Sequence, residues 1–470
     1  MGSKAALGFH SLTDEVTRNL HVEGTLPPWL SGSLIRNGPG AFEIGDVGVE
    51  HWFDGLAMLH KFTFGDGGVR YRNRFLRTDA YESARNGAFE SGFATGTTTL
   101  FERLKSFLID APYDNTNIIA ERLGGRYLAL TETPRWVEFD PDSLTVKDHV
   151  QYGGSEPAGN LACAHLRRDP NTGGIVNFET EFGRTSNYHI YSMTSPTERN
   201  HICSIPVSEP AYMHSFALTP NYVVLTEFPF VVNPLDLLRP GKQGPFIENF
   251  EWKPDRGTRF FVIDRGRGTV VAQPRTEAFF GFHHANAYES GDELVIDLET
   301  VPDADAIDTL YLYRLRAGEL GVFAGRLERF RLTPDSPGEP YIERELLRDG
   351  TALPTVSPEK WGRKYRYVYT QGTDQPMTEW PQEILKIDTE TGNVTRFSDG
   401  ENNFSEPIFV PSPNGEGEDG GVVLTVMLDV SAEHSWLVVL DGESLAERAR
   451  ARIPHAIPFD FHGRFFPELD

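Results

Sequence analysis

The stretch "ILKIDTETGNVTRF", residues 384–397, runs apolar residues into an Asp, crosses a short polar turn and resumes as a second strand carrying Val394 and Phe397. An Asp at that place tightens a turn by accepting hydrogen bonds from backbone N–H groups just ahead of it. The same order returns in "WVEFDPDSLTV" (136–146), "FFVIDRGRGTVV" (260–271) and "WLVVLDGESLAE" (436–447). Each reads as a β-hairpin. Hairpins of one type spread through the chain predict an all-β fold of repeated sheets, and a propeller of four-stranded blades is the closed arrangement that protects strand edges. Two β-sandwiches explain the strands less well, because no linker separates them. "PSPNGEGEDGG" (411–421) reads as a surface loop between two strands, and the whole chain, residues 1–470, reads as a single domain. The best helical signal is "TTTLFERLKSFLI" (97–109), with Leu100, Leu104, Phe107 and Leu108 on one side.

A net charge of -24 argues against a nucleic-acid partner, because phosphate contacts need clustered Lys and Arg. Two cysteines, Cys163 and Cys203, do not make a disulfide framework, and the N-terminal "MGSKAALGFHSLTDEV" lacks the apolar stretch of a signal peptide. A cytoplasmic location is the expectation. No run approaches the roughly 18 apolar residues a membrane span requires.

The 14 histidines include no pair with the short spacing of a helical zinc motif. A lone histidine in a β-protein is structural as a rule, yet four share one kind of setting: His165 in "NLACAHLRRDP", His214 in "YMHSFALTP", His283 in "FGFHHANAYE" and His462 in "PFDFHGRFFP". Segments so rich in Phe, Tyr, Ala and Gly bury their contents, and a buried imidazole without a partner is costly. Single contributions from separate blades would converge on one axis, where four imidazoles would hold iron, copper or zinc. Neutral ligands leave the ion's charge uncompensated, so carboxylates are expected behind them, accepting the other ring N–H. Glu132 in "LALTETPRW", Glu379 in "PMTEWPQEI" and Glu406 in "NFSEPIFV" sit in apolar, strand-like settings that fit this need.

"LIRNGPG" (34–40), "HWFDGLAMLHKFTF" (51–64), "TETPRW" (131–136), "YMHSFALTPNYVVLTEFPF" (212–230), "FHHANAYE" (282–289), "SEPIFV" (405–410) and "FHGRFF" (461–466) together resemble the carotenoid cleavage oxygenases, in order and over nearly the whole chain. The resemblance implies a seven-bladed β-propeller under a cap of loops and short helices. It implies a ferrous ion, Fe(2+), held by His165, His214, His283 and His462, with Glu132, Glu379 and Glu406 behind them. It makes His283 the ligand and turns His284 away, to be packed or hydrogen-bonded between strands. Leu166 departs from the family, where Pro often follows the first ligand.

The activity implied is dioxygenase cleavage of one C=C bond of a carotenoid or apocarotenoid by dioxygen, giving two carbonyl products. "FLRTDAY" (75–81) and neighbouring motifs look most like the animal-type enzymes that split β-carotene to retinal. A stilbene-cleaving enzyme of the same fold, a retinyl-ester isomerohydrolase and a non-catalytic propeller that binds apolar ligands are the alternatives. A polyene substrate resides in membranes, so "FPFVVNPLDLL" (228–238), helped by residues 97–109, is expected to make a peripheral membrane contact, unless it is a buried crossover.

Overall fold

The computed structural model describes residues 4–87, 92–96, 113–151, 153, 158–236, 244–321, 324–334 and 342–469. The candidate helix at 97–109 lies outside them. The hairpins form as read. In all four the Asp side chain accepts from backbone N–H groups two or three residues on: Asp140 from Ser143 at 2.8 Å, Asp264 from Arg267 at 2.8 Å, Asp388 from Glu390 at 3.0 Å and Asp441 from Ser444 at 2.9 Å. The residue four places after each Asp turns left-handed, and its N–H returns to the Asp carbonyl at 2.8 to 2.9 Å. Glycine suits that conformation, and it stands there as Gly268 and Gly392, whereas Leu144 and Leu445 accept it in the other two turns.

Among the described residues the strands form six large antiparallel sheets, four of which contain one of these hairpins. The first contains Gly32–Ala41, Leu56–Gly65 and Gly68–Phe75; the second runs from Ile119–Leu123 to Val146–His149; the third from Leu161–Ala162 to Asn200–Val207. The fourth spans Ala217–Leu218 to Thr269–Ala272, and the fifth has seven strands, from His284–Ser290 to Val394–Ser398. The sixth holds Asn403–Phe404 to Glu447–Arg452. Two strands tie the chain's ends together: Val22–Gly24 pairs with Glu447–Arg452, and His462–Phe466 pairs with Gly32–Ala41.

Apolar clusters lie between sheets that follow one another in the chain. Ile35 and Leu59 of the first sheet pack with Ala129 and Phe139 of the second, and Leu128 and Leu130 of the second with Ile175 and Met193 of the third. Ile190 and Ile205 meet Val223 and Ile263 of the fourth. Phe260 and Val262 meet Ile296 and Phe330 of the fifth. Tyr369 and Ile384 meet Val423 and Val438 of the sixth, and Leu424 and Val439 of the sixth return to Leu34 and Phe62 of the first. Within the fifth sheet, Val295 and Leu327 pack on Leu385 and Ile387. The order of packing therefore closes on itself.

The apolar segment expected to meet a membrane packs largely inward over its described residues. Of the segment 228–238, described as far as Asp236, Phe228, Phe230, Val231 and Val232 are buried. Phe230–Val231 pairs with Glu251–Trp252, and the Phe230 ring packs on Phe250 and Phe280. These apolar side chains thus complete the interior, and among the described residues of the segment only Leu235 is strongly exposed. Among the described residues no helix is long and apolar enough to cross a membrane.

Candidate metal centre

Each of the four histidines stands on or beside the edge strand of a different sheet. His165 lies between Leu161–Ala162 and Arg167–Arg168, His214 just before Ala217–Leu218, His283 just before His284–Ser290, and His462 opens His462–Phe466. Residues far apart in the chain meet because those four edges run side by side. One ring nitrogen from each lies within 4.8 Å of the other three, and His165 stands 4.5, 5.2 and 4.3 Å by ring centroid from His214, His283 and His462.

Carboxylates and donors behind the rings fix which nitrogen faces inward. Glu132 Oε1 accepts from His214 Nδ1 at 2.5 Å, and Tyr212 donates its hydroxyl to Glu132 at 3.0 Å. Glu406 Oε1 accepts from His462 Nδ1 at 2.8 Å while its other oxygen takes the N–H of Gly463. Glu299 Oε2 accepts from His283 Nδ1 at 3.2 Å and from the N–H of Leu353 at 3.3 Å. The third carboxylate is thus a correction. Glu379 lies in the loop between Tyr367–Gly372 and Glu383–Asp388, where its carbonyl accepts from Thr373, and the carboxylate against His283 is that of Glu299. The signal was present: "ELVIDLET" (293–300) places Glu299 inside an apolar strand that is buried from Leu294 to Thr300. Tyr212 was likewise missed as the support of Glu132.

The donor set fits a metal ion. Burial, reinforced by the neighbouring imidazoles, holds His165 and His283 well below the ordinary histidine range, so both are neutral and carry a lone pair. Nε2 of His283 is buried without a hydrogen-bond partner while its Nδ1 is engaged. Nε2 of His165 faces Nε2 of His214 at 3.0 Å. An ion between them would take both as ligands, since nitrogens about 2.1 Å from one ion at a right angle stand about 3.0 Å apart.

His284 faces the other way. Its Nδ1 donates to Ser215 Oγ at 2.7 Å, Ser215 passes its own proton to the carbonyl of Phe282 at 2.6 Å, and Thr226 donates to Nε2 at 2.8 Å. Every polar atom of that ring is used between strands.

The histidines have two kinds of surroundings. A cavity of about 110 Å³ reaches His165, His283 and His462 and is lined by Arg167, Arg464 and Trp361. It falls short of the roughly 300 Å³ at which small-molecule pockets begin. The other surroundings are aromatic: Phe282 lies 5.7 Å from His214, Phe53 lies 6.0 Å from Phe282 and 5.6 Å from Phe461, and Phe93 lies 5.5 Å from Tyr212.

The family model described as "Retinal pigment epithelial membrane protein" matches residues 9–467. The chain belongs to the carotenoid cleavage oxygenase family. It is 32% identical to the β,β-carotene 15,15'-dioxygenase of Gallus gallus, covering 96% of this chain and 95% of that one. It is also 32% identical to the carotenoid isomerooxygenase of Galleria mellonella, covering 97% and 95%. A solved structure of a mutant of the Synechocystis apocarotenoid oxygenase superposes with a TM-score of 0.86 at 29% identity, over 98% of each chain. A cobalt-substituted form of the same oxygenase gives 0.85 at 28%, again over 98% of each chain. This family member is therefore a homologue of carotenoid-cleaving dioxygenases, mostly β in structure, with a four-histidine metal site consistent with non-haem iron.

Proposed function

We propose that the protein is an iron(II)-dependent dioxygenase that splits one C=C bond of a carotenoid or apocarotenoid into two carbonyls. The observation that carries this reading is the convergence of four imidazoles beside a shell of aromatic side chains, with the Nε2 of His283 left without a protein partner. The relatives' names narrow the substrate class, and β-carotene, cut at its centre to retinal, is the first substrate to try. The fold we infer is a seven-bladed propeller. Its support is the cyclic packing order, with the seven-stranded sheet counted as two blades joined through the long strand Ile342–Thr355.

Bound iron would supply the activation of dioxygen toward an electron-rich alkene. The chain's own part is to hold and exclude. His165, His214, His283 and His462 would be the ligands, and Glu132, Glu299 and Glu406 would keep their rings in register and offset the charge of the ion. Phe53, Phe282 and Phe461 would bind the polyene by apolar contact and keep water from the reacting bond. One dioxygen and one C=C bond give two C=O groups, so atoms and electrons balance and no reductant is consumed.

The test is turnover with Fe(II), dioxygen and a detergent-dispersed panel of carotenoids, apocarotenoids and hydroxystilbenes, with products separated by chromatography. Two carbonyl products in equal amounts from a polyene, both carrying ¹⁸O from labelled dioxygen at short times, are expected. Label in one product alone would overturn the dioxygenase assignment. Cleavage confined to stilbenes would overturn the substrate.

A further inference from the structure

Asp54 closes the short 3-10 turn Trp52–Asp54 and is 1% exposed. Its carboxylate is turned onto a segment far along the chain: Oδ1 accepts from Phe93 N–H at 2.6 Å, and Oδ2 accepts from Ala94 N–H at 2.9 Å and from the Thr95 hydroxyl at 2.8 Å. Thr95 Oγ1 in turn takes the N–H of Glu50 at 2.9 Å, which directs its proton to Asp54. The approach is so close that a Cβ at Gly92 would stand 2.2 Å from Oδ1. A single carboxylate can take all three donors. An amide, with one acceptor oxygen and an NH2 that opposes a backbone N–H, cannot.

The residue placed by this clasp is Phe93. Its carbonyl accepts from Ile247 N–H at 3.0 Å, and its half-buried ring lies 5.5 Å from Phe53 and 5.5 Å from Tyr212. Tyr212 holds Glu132, and Glu132 holds His214. The ring therefore stands one layer of side chains from the metal centre, on the aromatic side. The double bonds of a polyene are chemically alike and differ in how far along a chamber they lie, so a wall displaced by about 1 Å changes which bond is in place to react.

We propose that Asp54 is a positioning residue: by clasping the backbone of Phe93 and Ala94 it fixes the Phe93 ring as a wall of the substrate chamber and so sets which bond is cut. This rests on the dioxygenase reading above. Burial pushes the Asp54 carboxyl up to about 6, which leaves it ionised at neutral pH and its hydrogen bonds charge-assisted.

The test compares Asp54→Asn, Phe93→Ala and the double variant. Both single variants should shift the chain length of the products in the same direction and raise KM about tenfold with a smaller change in kcat, while iron content stays at the wild-type level. Amide hydrogen exchange over residues 92–96 should quicken in Asp54→Asn. The double variant should match Phe93→Ala alone, because Asp54 acts through that ring. Faster exchange with unchanged products in Asp54→Asn, or additive effects in the double variant, would overturn the proposal. If Asp54→Asn fails to fold, unchanged products from Phe93→Ala overturn it alone. If the wild type cleaves no polyene, the dioxygenase reading fails by itself, and anaerobic binding of a β-apocarotenal decides the wall: weakened binding in the variants supports it, unchanged binding overturns it.

Discussion

Glu299 Oε2 stands 3.2 Å from Nδ1 of His283, and the backbones of the same two residues are joined by Glu299 N–H donating to the His283 carbonyl at 2.9 Å. They are opposite members of one hairpin, so the fold that pairs the strands also delivers the carboxylate to the ring. Replacing Glu299 with Leu removes the acceptor and frees His283 to rotate. Metal affinity should fall roughly 10 to 100-fold, the usual effect of losing a support behind a ligand. Glu299→Gln keeps an acceptor oxygen and should recover most of the loss, and Glu379→Leu should change affinity little. Competition with a chelator measures all three. Equal losses from Glu379→Leu and Glu299→Leu would overturn the assignment.

Adjacent histidines should separate cleanly. His283→Ala removes an imidazole from the cluster, so metal content and turnover should drop together. His284→Ala leaves the cluster intact but strands Ser215 and Thr226 inside the protein, and it should cost about 3 kcal/mol of stability with metal content near wild type. Denaturant melts and metal analysis on the same preparations check both. Metal loss in His284→Ala with retention in His283→Ala would reverse the two roles.

The contrast between Glu406 and Glu379 shows how much of the site was legible in the sequence. The four histidines could be picked out because each sits in a short segment of apolar, small or aromatic residues, and the recurring Asp turns pointed to repeated hairpins. Choosing the third carboxylate needed strand register, which composition does not give: Glu299 faces His283 only because Glu293–Thr300 lies antiparallel to His284–Ser290. Residues 228–232 show a related limit. An apolar run reads alike whether it meets lipid or a neighbouring strand, and here Trp252 and Phe280 cover it. Asp54 and Arg36 were invisible as partners because their contacts lie far along the chain.

His51 supplies a pH test. Its ring is fully buried, with Nε2 on the carbonyl of Ile307 at 3.0 Å and Nδ1 accepting from Phe53 N–H, and burial pushes its pKa down to about 4 against the opposing pull of that carbonyl. Between about 6.5 and about 4 the unfolded chain holds a proton there that the folded chain does not. Stability from this group therefore falls as pH is lowered through that window, by about 3 kcal/mol at most. Asp54 has the opposite sign, since its raised pKa favours the folded form as pH falls below about 6. The readout is accordingly the difference between His51→Gln and wild type, measured by denaturant melts at pH 7 and pH 5. The variant should lose less stability on acidification. An equal loss in both would assign the pH dependence to other groups.

Arg36 and Asp460 form a fully buried ion pair beside the metal centre. Arg36 Nη2 meets Asp460 Oδ1 at 2.7 Å, its Nε meets Oδ2 at 2.5 Å, and its Nη1 donates to the Glu406 carbonyl at 2.9 Å. The pair thus braces the residue whose carboxylate holds His462. Asp460→Ala would leave a guanidinium buried without its counter-charge, and breaking such a pair from one side costs about 3 to 5 kcal/mol. Replacing both partners with apolar residues, as in Arg36→Met with Asp460→Leu, removes both desolvated charges and should restore most of that stability. It should not restore the metal site, because the Glu406 carbonyl has lost its donor and the carboxylate is free to turn away from His462. Melting curves and metal titration read the two effects separately. Stability and metal affinity returning together in the double variant would show that the pair serves the fold alone.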